Sequence, residues 1–211
     1  MKTYSQAGQD IFVLSILKNK KNGFFIEIGS NDPIYINNSY ILEKEYNWKG
    51  LMVEYDKNWT ESYKINRPNS YHIFNDARNI NYMSYFNNNN FPKNIDYLQI
   101  DLDVNNRSTL DVLETFDKTI FNNYKFATIT FEHDIYTGDY FNTRSISRDI
   151  FIKNGYFLVF PDVKVDVHLK DPIFPFEDWY VHPDLVDMEY INKIKSNESL
   201  SYKQIINILK N

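Results

Sequence analysis

The sequence predicts an α/β fold: a mostly parallel sheet with helices on both faces and one antiparallel strand at an edge. Three observations carry this. Short apolar runs alternate with segments of helical periodicity, the pattern of strand–helix–strand units. Five of the runs lead directly into acidic residues, as though their carboxyl ends shared one rim. Towards the C-terminus two runs follow each other around Pro161-Asp162 with no helix between them, which suits a hairpin closing a seven-stranded sheet. No internal repeat or linker composition breaks the chain, so its 211 residues are expected to form a single domain over 1–211.

Residues 7–19 place Phe12, Val13, Ile16 and Leu17 on one helical stripe. Phe24–Ile28 follows Asn22-Gly23 as a buried strand. Asn37 and Asn38 precede a helix carrying Tyr40, Ile41, Leu42 and Tyr46, and Gly50–Glu54 is the second strand. Residues 58–65 are weakly helical, and Tyr71–Phe74 is the third strand. Residues 79–95 read as polar and irregular, and their run of four asparagines at 87–90 as a surface loop. Ile95–Ile100 is the fourth strand, 107–120 a helix, Phe126–Phe131 the fifth strand and 143–153 a helix. Tyr156–Phe160 and Val163–Val167 form the closing strand pair. Residues 171–184 are rich in proline, aromatics and acids, and 174–183 read as a long ordered loop near the same rim. Ser201 and Gln204 open a last helix at 201–210 with a capping box.

Composition narrows the function. The net charge of −5, without a basic cluster, argues against nucleic acid as partner. No apolar stretch is long enough for a membrane span, so no membrane insertion is expected. The chain has no cysteine and no apolar leader after its N-terminal MKTYSQAGQD, so a cytoplasmic location is expected. The absence of cysteine also removes thiolate chemistry.

In an open parallel sheet, ligands bind beyond the carboxyl ends of the strands. Here those ends carry Glu27, Glu54, Asp76, Asp101 with Asp103, and Glu132 with Asp134. Gly29 follows Glu27 and permits a tight turn with close backbone approach. Neither a dinucleotide nor a P-loop glycine pattern is present, so a pyrophosphate ligand is not indicated. Glu54 stands where an acid accepts ribose hydroxyls, and Asp76 where one accepts from an adenine amino group. A cationic adenosine ligand without phosphate fits: S-adenosyl-L-methionine (SAM).

The segments YSQAGQD (4–10), FFIEIGSND (24–32), NNSYILEKEYNWKGLMVE (37–54), NDA (75–77) and DYLQIDLD (96–103) resemble the FkbM-type family of class I SAM-dependent methyltransferases. FEHD (131–134), GYFLVFPDVKV (155–165) and PFEDWYVHPDLV (175–186) resemble a subgroup of it. The resemblance implies a Rossmann-like fold with Glu27, Gly29, Ser30 and Asn31 along the methionine part of SAM. It further implies Glu54 at the ribose and Asp76 with Ala77 by the adenine. Gln6 and Asp10 would close over the cofactor from the first helix, with Asn38, Ser39 and Asp101 nearby. It also implies O-methylation of a sugar or glycan hydroxyl. Two departures stand out: Asp32-Pro33 replaces the usual second glycine of the loop, and AspLeuAspValAsn (101–105) replaces Asp-x-Glu-Gly.

Methyl transfer to a hydroxyl needs a base, for which His133, Asp103 and Asp101 are the candidates. Asp101, Asp103, Glu132 and His133 also offer ligands of the type Mg²⁺ or Mn²⁺ takes. Glu132, Asp134, Glu177, Asp178, Trp179, Tyr180 and His182 are candidates for binding the acceptor, because rings stack on sugar faces and acids take hydroxyls. Two other readings compete. Asp101-Leu102-Asp103 could serve a metal-dependent glycosyltransferase, or the chain could be a non-catalytic scaffold. Oligomeric state is left open.

Overall fold

A computed structural model describes residues 3–165 and 174–210. Its strands are β1 (Phe24–Ile28), β2 (Lys49–Glu54), β3 (Tyr71–Phe74), β4 (Asn94–Ile100), β5 (Lys125–Glu132), β6 (Phe157–Val165) and β7 (Phe174–Val181). Its helices are α1 (Gln9–Ile16), α2 (Tyr40–Tyr46), α3 (Thr60–Asn66), α4 (Tyr82–Asn88), α5 (Ser108–Thr119), α6 (Thr143–Lys153), α7 (Met188–Ile194) and α8 (Tyr202–Leu209). The strands form one seven-stranded sheet in the order β3-β2-β1-β4-β5-β7-β6. β1 to β5 run parallel, and β7 is antiparallel to both its neighbours.

β1 is buried on both sides, hence its nearly continuous apolar run. Phe24, Ile26 and Ile28 join the core under α4 to α6, which includes Phe86, Leu113, Phe116 and Phe151. Phe25 joins the opposite core under α1, α2, α7 and α8, with Phe12, Leu42, Ile191 and Ile205. Because β1 lies between β2 and β4, the strand order reverses there. The crevice beyond its carboxyl end is the switch point at which such sheets take ligands.

Three expectations are corrected. β6 is one strand through Pro161-Asp162, with its register shifted by irregular pairing at that point; the two runs are not partners of each other. The end of the expected strand at 166–167 lies outside the described residues. The partner of β6 is β7, whose residues were expected in a loop. Its alternation is hidden by Pro175 and by two adjacent acids, Glu177 and Asp178, that are themselves buried. The polar stretch 79–95 contains α4, whose fully buried residues are Tyr82 and Phe86, with Met83 and Tyr85 packed beside them.

Gly29 has a φ of +85°, and a Cβ there would overlap the carbonyl oxygen of Asp101. The glycine therefore lets the end of β1 pass the end of β4. Gly29→Ala should cost about 2–4 kcal/mol of folding stability, combining the left-handed backbone with a backbone clash. Urea denaturation of the variant beside the wild type measures it.

Candidate active site

The site begins at Glu27. This carboxylate is 1% exposed. It accepts from the Asn38 backbone N–H (3.0 Å), the Ser39 hydroxyl (2.6 Å) and the Asn37 side-chain amide (3.3 Å). Burial pushes its pKa up, and the nearby Arg67 guanidinium and these hydrogen bonds oppose that shift. Asn37 also donates to the carbonyls of Ser30 and Asp32, binding the loop after β1 to the start of α2. Asn37 and Arg67 were missed by sequence reasoning. An arginine in a polar turn after a weak helix gives no signal of complete burial.

Glu54, at the end of β2, accepts from the backbone N–H groups of Asn31 (2.7 Å) and Asp56 (2.8 Å). Asp76, after β3, accepts from the Arg78 backbone and guanidinium, and that pairing holds its pKa down. Two cavities open along this rim. An inner one of about 350 Å³ is lined by Gln6, Glu27, Gly29, Ser30, Asn31, Ile36, Glu54, Gln99, Asp101, Leu102, Asp103 and Glu132. An outer one of about 430 Å³ is lined by Val53, Tyr55, Asn75, Asp76, Ala77, Arg78, Leu102, Asp103, Asn106 and Ser108. They meet at Leu102 and Asp103 and form one cleft across the ends of β1 to β5.

The inner cavity carries five acids, and no Lys, Arg or His appears among the described residues lining it. At its floor Asp101 is hydrogen-bonded to Glu132, and Glu132 to Asp134, so the group must share protons. Burial raises all three pKa values; Glu132, between two other carboxyls, is raised most clearly. Gln99 donates to Asp101 (3.2 Å), while its own Oε1 is buried without a partner. A cavity of acids with a spare amide acceptor fits a cationic group. This is the chemical match expected of the ammonium and sulfonium of SAM.

Not every expected residue reaches the cleft. Asp10 is fully buried and accepts from Thr3, Tyr4, Ser5 and Ile11, so it ties down the N-terminal segment and does not line the cleft; Gln6 does line it. Asn38 meets Glu27 through its backbone and Ser39 through its hydroxyl, behind the cavity wall. Asp103 lines both cavities and accepts from the Asn105 N–H.

His133 is corrected as a base. Its side chain is fully buried, its Nδ1 accepts the Ile135 N–H (3.3 Å), and its Nε2 lies 3.5 Å from both Asp162 and Asp178. With Nδ1 accepting, the proton belongs on Nε2, which lies beside these two carboxylates without a hydrogen bond, and His133 does not line the inner cavity. The expected Asp101–Asp103–Glu132–His133 metal set is therefore not assembled. His133, Asp162 and Asp178 do cluster, with ligand atoms within 4.8 Å of one another. However, Arg148 already bonds both carboxylates and Arg144 pairs with Asp162.

The acceptor residues expected on a loop lie in or beside β7. Trp179 packs on Phe12 and Phe160, and Tyr180 on Phe151, both fully buried. Asp178 is the buried partner of Arg148. Burial alone would raise its pKa, but Arg148 and His133 outweigh that and hold it well below the usual carboxylate range. Glu177 accepts from the Trp179 indole (2.7 Å), and burial raises its pKa well above the usual range. His182 caps the turn at Pro183–Leu185 and stacks edge-on against Tyr156. Of the acceptor set, Glu132 lines the inner cavity and Asp134 is bonded to it.

No protein-family model and no curated protein sequence matches the chain. Solved structures do. A protein from Clostridium thermocellum, provisionally named an rRNA-methylase, matches with a TM-score of 0.53 at 10% identity over 86% of this chain and 99% of that one. A TehB-like SAM-dependent methyltransferase from Corynebacterium glutamicum matches with a TM-score of 0.49 at 9% identity, over 82% and 87%. The fold is the Rossmann-like fold of the class I SAM-dependent methyltransferases.

The buried acids set the pH dependence of stability. Glu27, Asp101, Glu132, Asp134 and Glu177 all have raised pKa values, so the folded chain holds protons that the unfolded chain has released above about pH 4.3. Their contribution is unfavourable at neutral pH and fades as pH falls through the folded values. Asp178 acts oppositely: its contribution is present above about pH 3.9 and lost below it. Urea midpoints should therefore rise from pH 8 towards about pH 5 and fall again at lower pH. Glu132→Gln should be more stable than wild type at pH 8, with the gap closing at pH 5.

Proposed function

We propose that the chain is a SAM-dependent O-methyltransferase acting on a hydroxyl of a sugar or glycan. The observation that carries the reading is the acidic, base-free inner cavity at the switch point of a class I methyltransferase fold. Glu27 and Gln99 belong to the wall facing the methionine part of the cofactor, with Gly29, Ser30 and Asn31 in the turn beneath it. Glu54 serves the ribose hydroxyls. Val53, Tyr55, Ala77 and Leu102 wall the adenine end, with Asp76 held by Arg78 at its edge.

When bound, SAM supplies an activated methyl group. The chain's own task is to hold an acceptor oxygen in line with it and to receive that oxygen's proton. The Asp101–Glu132 pair suits the second task. Two carboxyls sharing a proton retain an ionised oxygen, and their raised pKa makes that oxygen a stronger base than an ordinary carboxylate. Asp134 extends the group towards Tyr136, whose ring stacks on Phe174 at 5.1 Å and suits a sugar face. The sugar assignment rests on the resemblance noted in the sequence and on this aromatic-acid neighbourhood.

Isothermal titration should give micromolar binding of SAM and S-adenosylhomocysteine, weakened about tenfold or more by Glu54→Ala. Against a panel of sugar acceptors, Glu132→Gln should lower kcat by about 100-fold while S-adenosylhomocysteine still binds. Absence of cofactor binding would remove the methyltransferase reading. Binding without methylation of any sugar hydroxyl would remove only the acceptor.

A further inference from the structure

We propose that Tyr63 and Arg67, one helical turn apart at the end of α3, act together as the clamp that shapes the cofactor loop; the proposal rests on the SAM reading above. The loop after β1 lacks the second glycine that such a turn would use, having Asp32-Pro33 instead. Its left-handed backbone falls on Asn31 (φ +46°) and Ile36 (φ +51°). A β-branched residue there is strained, and strain persists only where surrounding contacts fix the backbone.

Those contacts come largely from α3. Tyr63 lies in α3 and Arg67 is the residue that ends it, and both are fully buried. The Tyr63 hydroxyl bonds the Ser30 hydroxyl and the Asn31 carbonyl, each at 2.7 Å. Arg67 donates to the Pro33 carbonyl (3.2 Å), the Asn37 side-chain oxygen (2.9 Å) and the Ser39 hydroxyl (2.7 Å). Its remaining bond goes to Glu43 (2.9 Å), which neutralises it. The two side chains thus grip both limbs of the loop from 30 to 39. Side-chain donors do here what a glycine-rich turn does through its own conformational freedom.

The pair touches the protein side of the loop, so both are positioning residues. Their removal should loosen the cavity wall at Ser30 and Asn31 and weaken cofactor binding more than it weakens the fold. The test is titration of S-adenosylhomocysteine into wild type, Tyr63→Phe, Arg67→Lys and a control, Tyr156→Phe, with thermal melts of each. Tyr156 is also a buried tyrosine, but its hydroxyl accepts from the Phe126 backbone, away from the loop. Tyr63→Phe and Arg67→Lys should raise Kd about tenfold or more, while Tyr156→Phe loses melting temperature with Kd within twofold. A Kd within twofold of wild type in Tyr63→Phe overturns the clamp, and this holds even if Arg67→Lys fails to fold. A wild type that binds neither S-adenosylhomocysteine nor SAM overturns the cofactor reading instead.

Discussion

A carboxylate buried at the end of the central strand is the constraint from which the site is built. Glu27 has left water, and a buried charge is tolerated only with hydrogen bonds and an opposite charge. The first requirement draws Asn37, Asn38 and Ser39 against the end of β1 and fixes where α2 begins. The second draws in Arg67, which reaches Glu27 through Ser39 and is itself neutralised by Glu43. The loop between β1 and α2 is thereby closed at both ends, and its inner surface becomes the wall of the cavity. One acid on a buried strand thus links β1, α2 and α3 in a single polar network.

The sequence made the parallel part of the sheet legible because its strands are buried on both faces and bounded by helices of clear period. It made the rim legible for the same reason: an acid immediately after an apolar run has only one place to go. Glu54, Asp76, Asp101, Asp103 and Glu132 all arrive there. Legibility failed where polarity and burial part company. Phe174–Val181 contains adjacent acids that pair with Arg148 and the Trp179 indole inside the fold. A buried strand therefore looked like an ordered loop. His133 was misjudged for the same reason. Its neighbours in sequence are rim acids, but its side chain turns to Asp162 and Asp178, whose positions depend on pairing between β6 and β7. Arg67 and Asn37 carry no local signal, since the groups they donate to lie 24 to 34 residues away from Arg67 and 5 to 10 from Asn37.

The acids of the rim fall into two groups, and the division carries chemical meaning. Asp76 and Glu54 have donors from the chain itself, so their charge is already accommodated. Asp101, Glu132 and Asp134 are bonded to one another and kept from full ionisation by burial and mutual repulsion. An arrangement of this kind disfavours the fold at neutral pH, and substitution of any one member by an amide would relieve it. Such groups commonly mark a site whose function needs the strain.

That cost also discriminates among ligands. A ligand of net negative charge, such as a phosphate, would meet five acids in the inner cavity and no Lys, Arg or His among the described residues lining it. A cation would instead let the shared protons leave and gain ion pairs from carboxylates already desolvated, where Coulomb attraction is least screened. Arg67 and Arg78 are paired with Glu43 and Asp76; Arg67 offsets only part of the burial cost of Glu27. The preference of the cavity for positive charge therefore follows from how the arginines are paired as much as from the acids themselves.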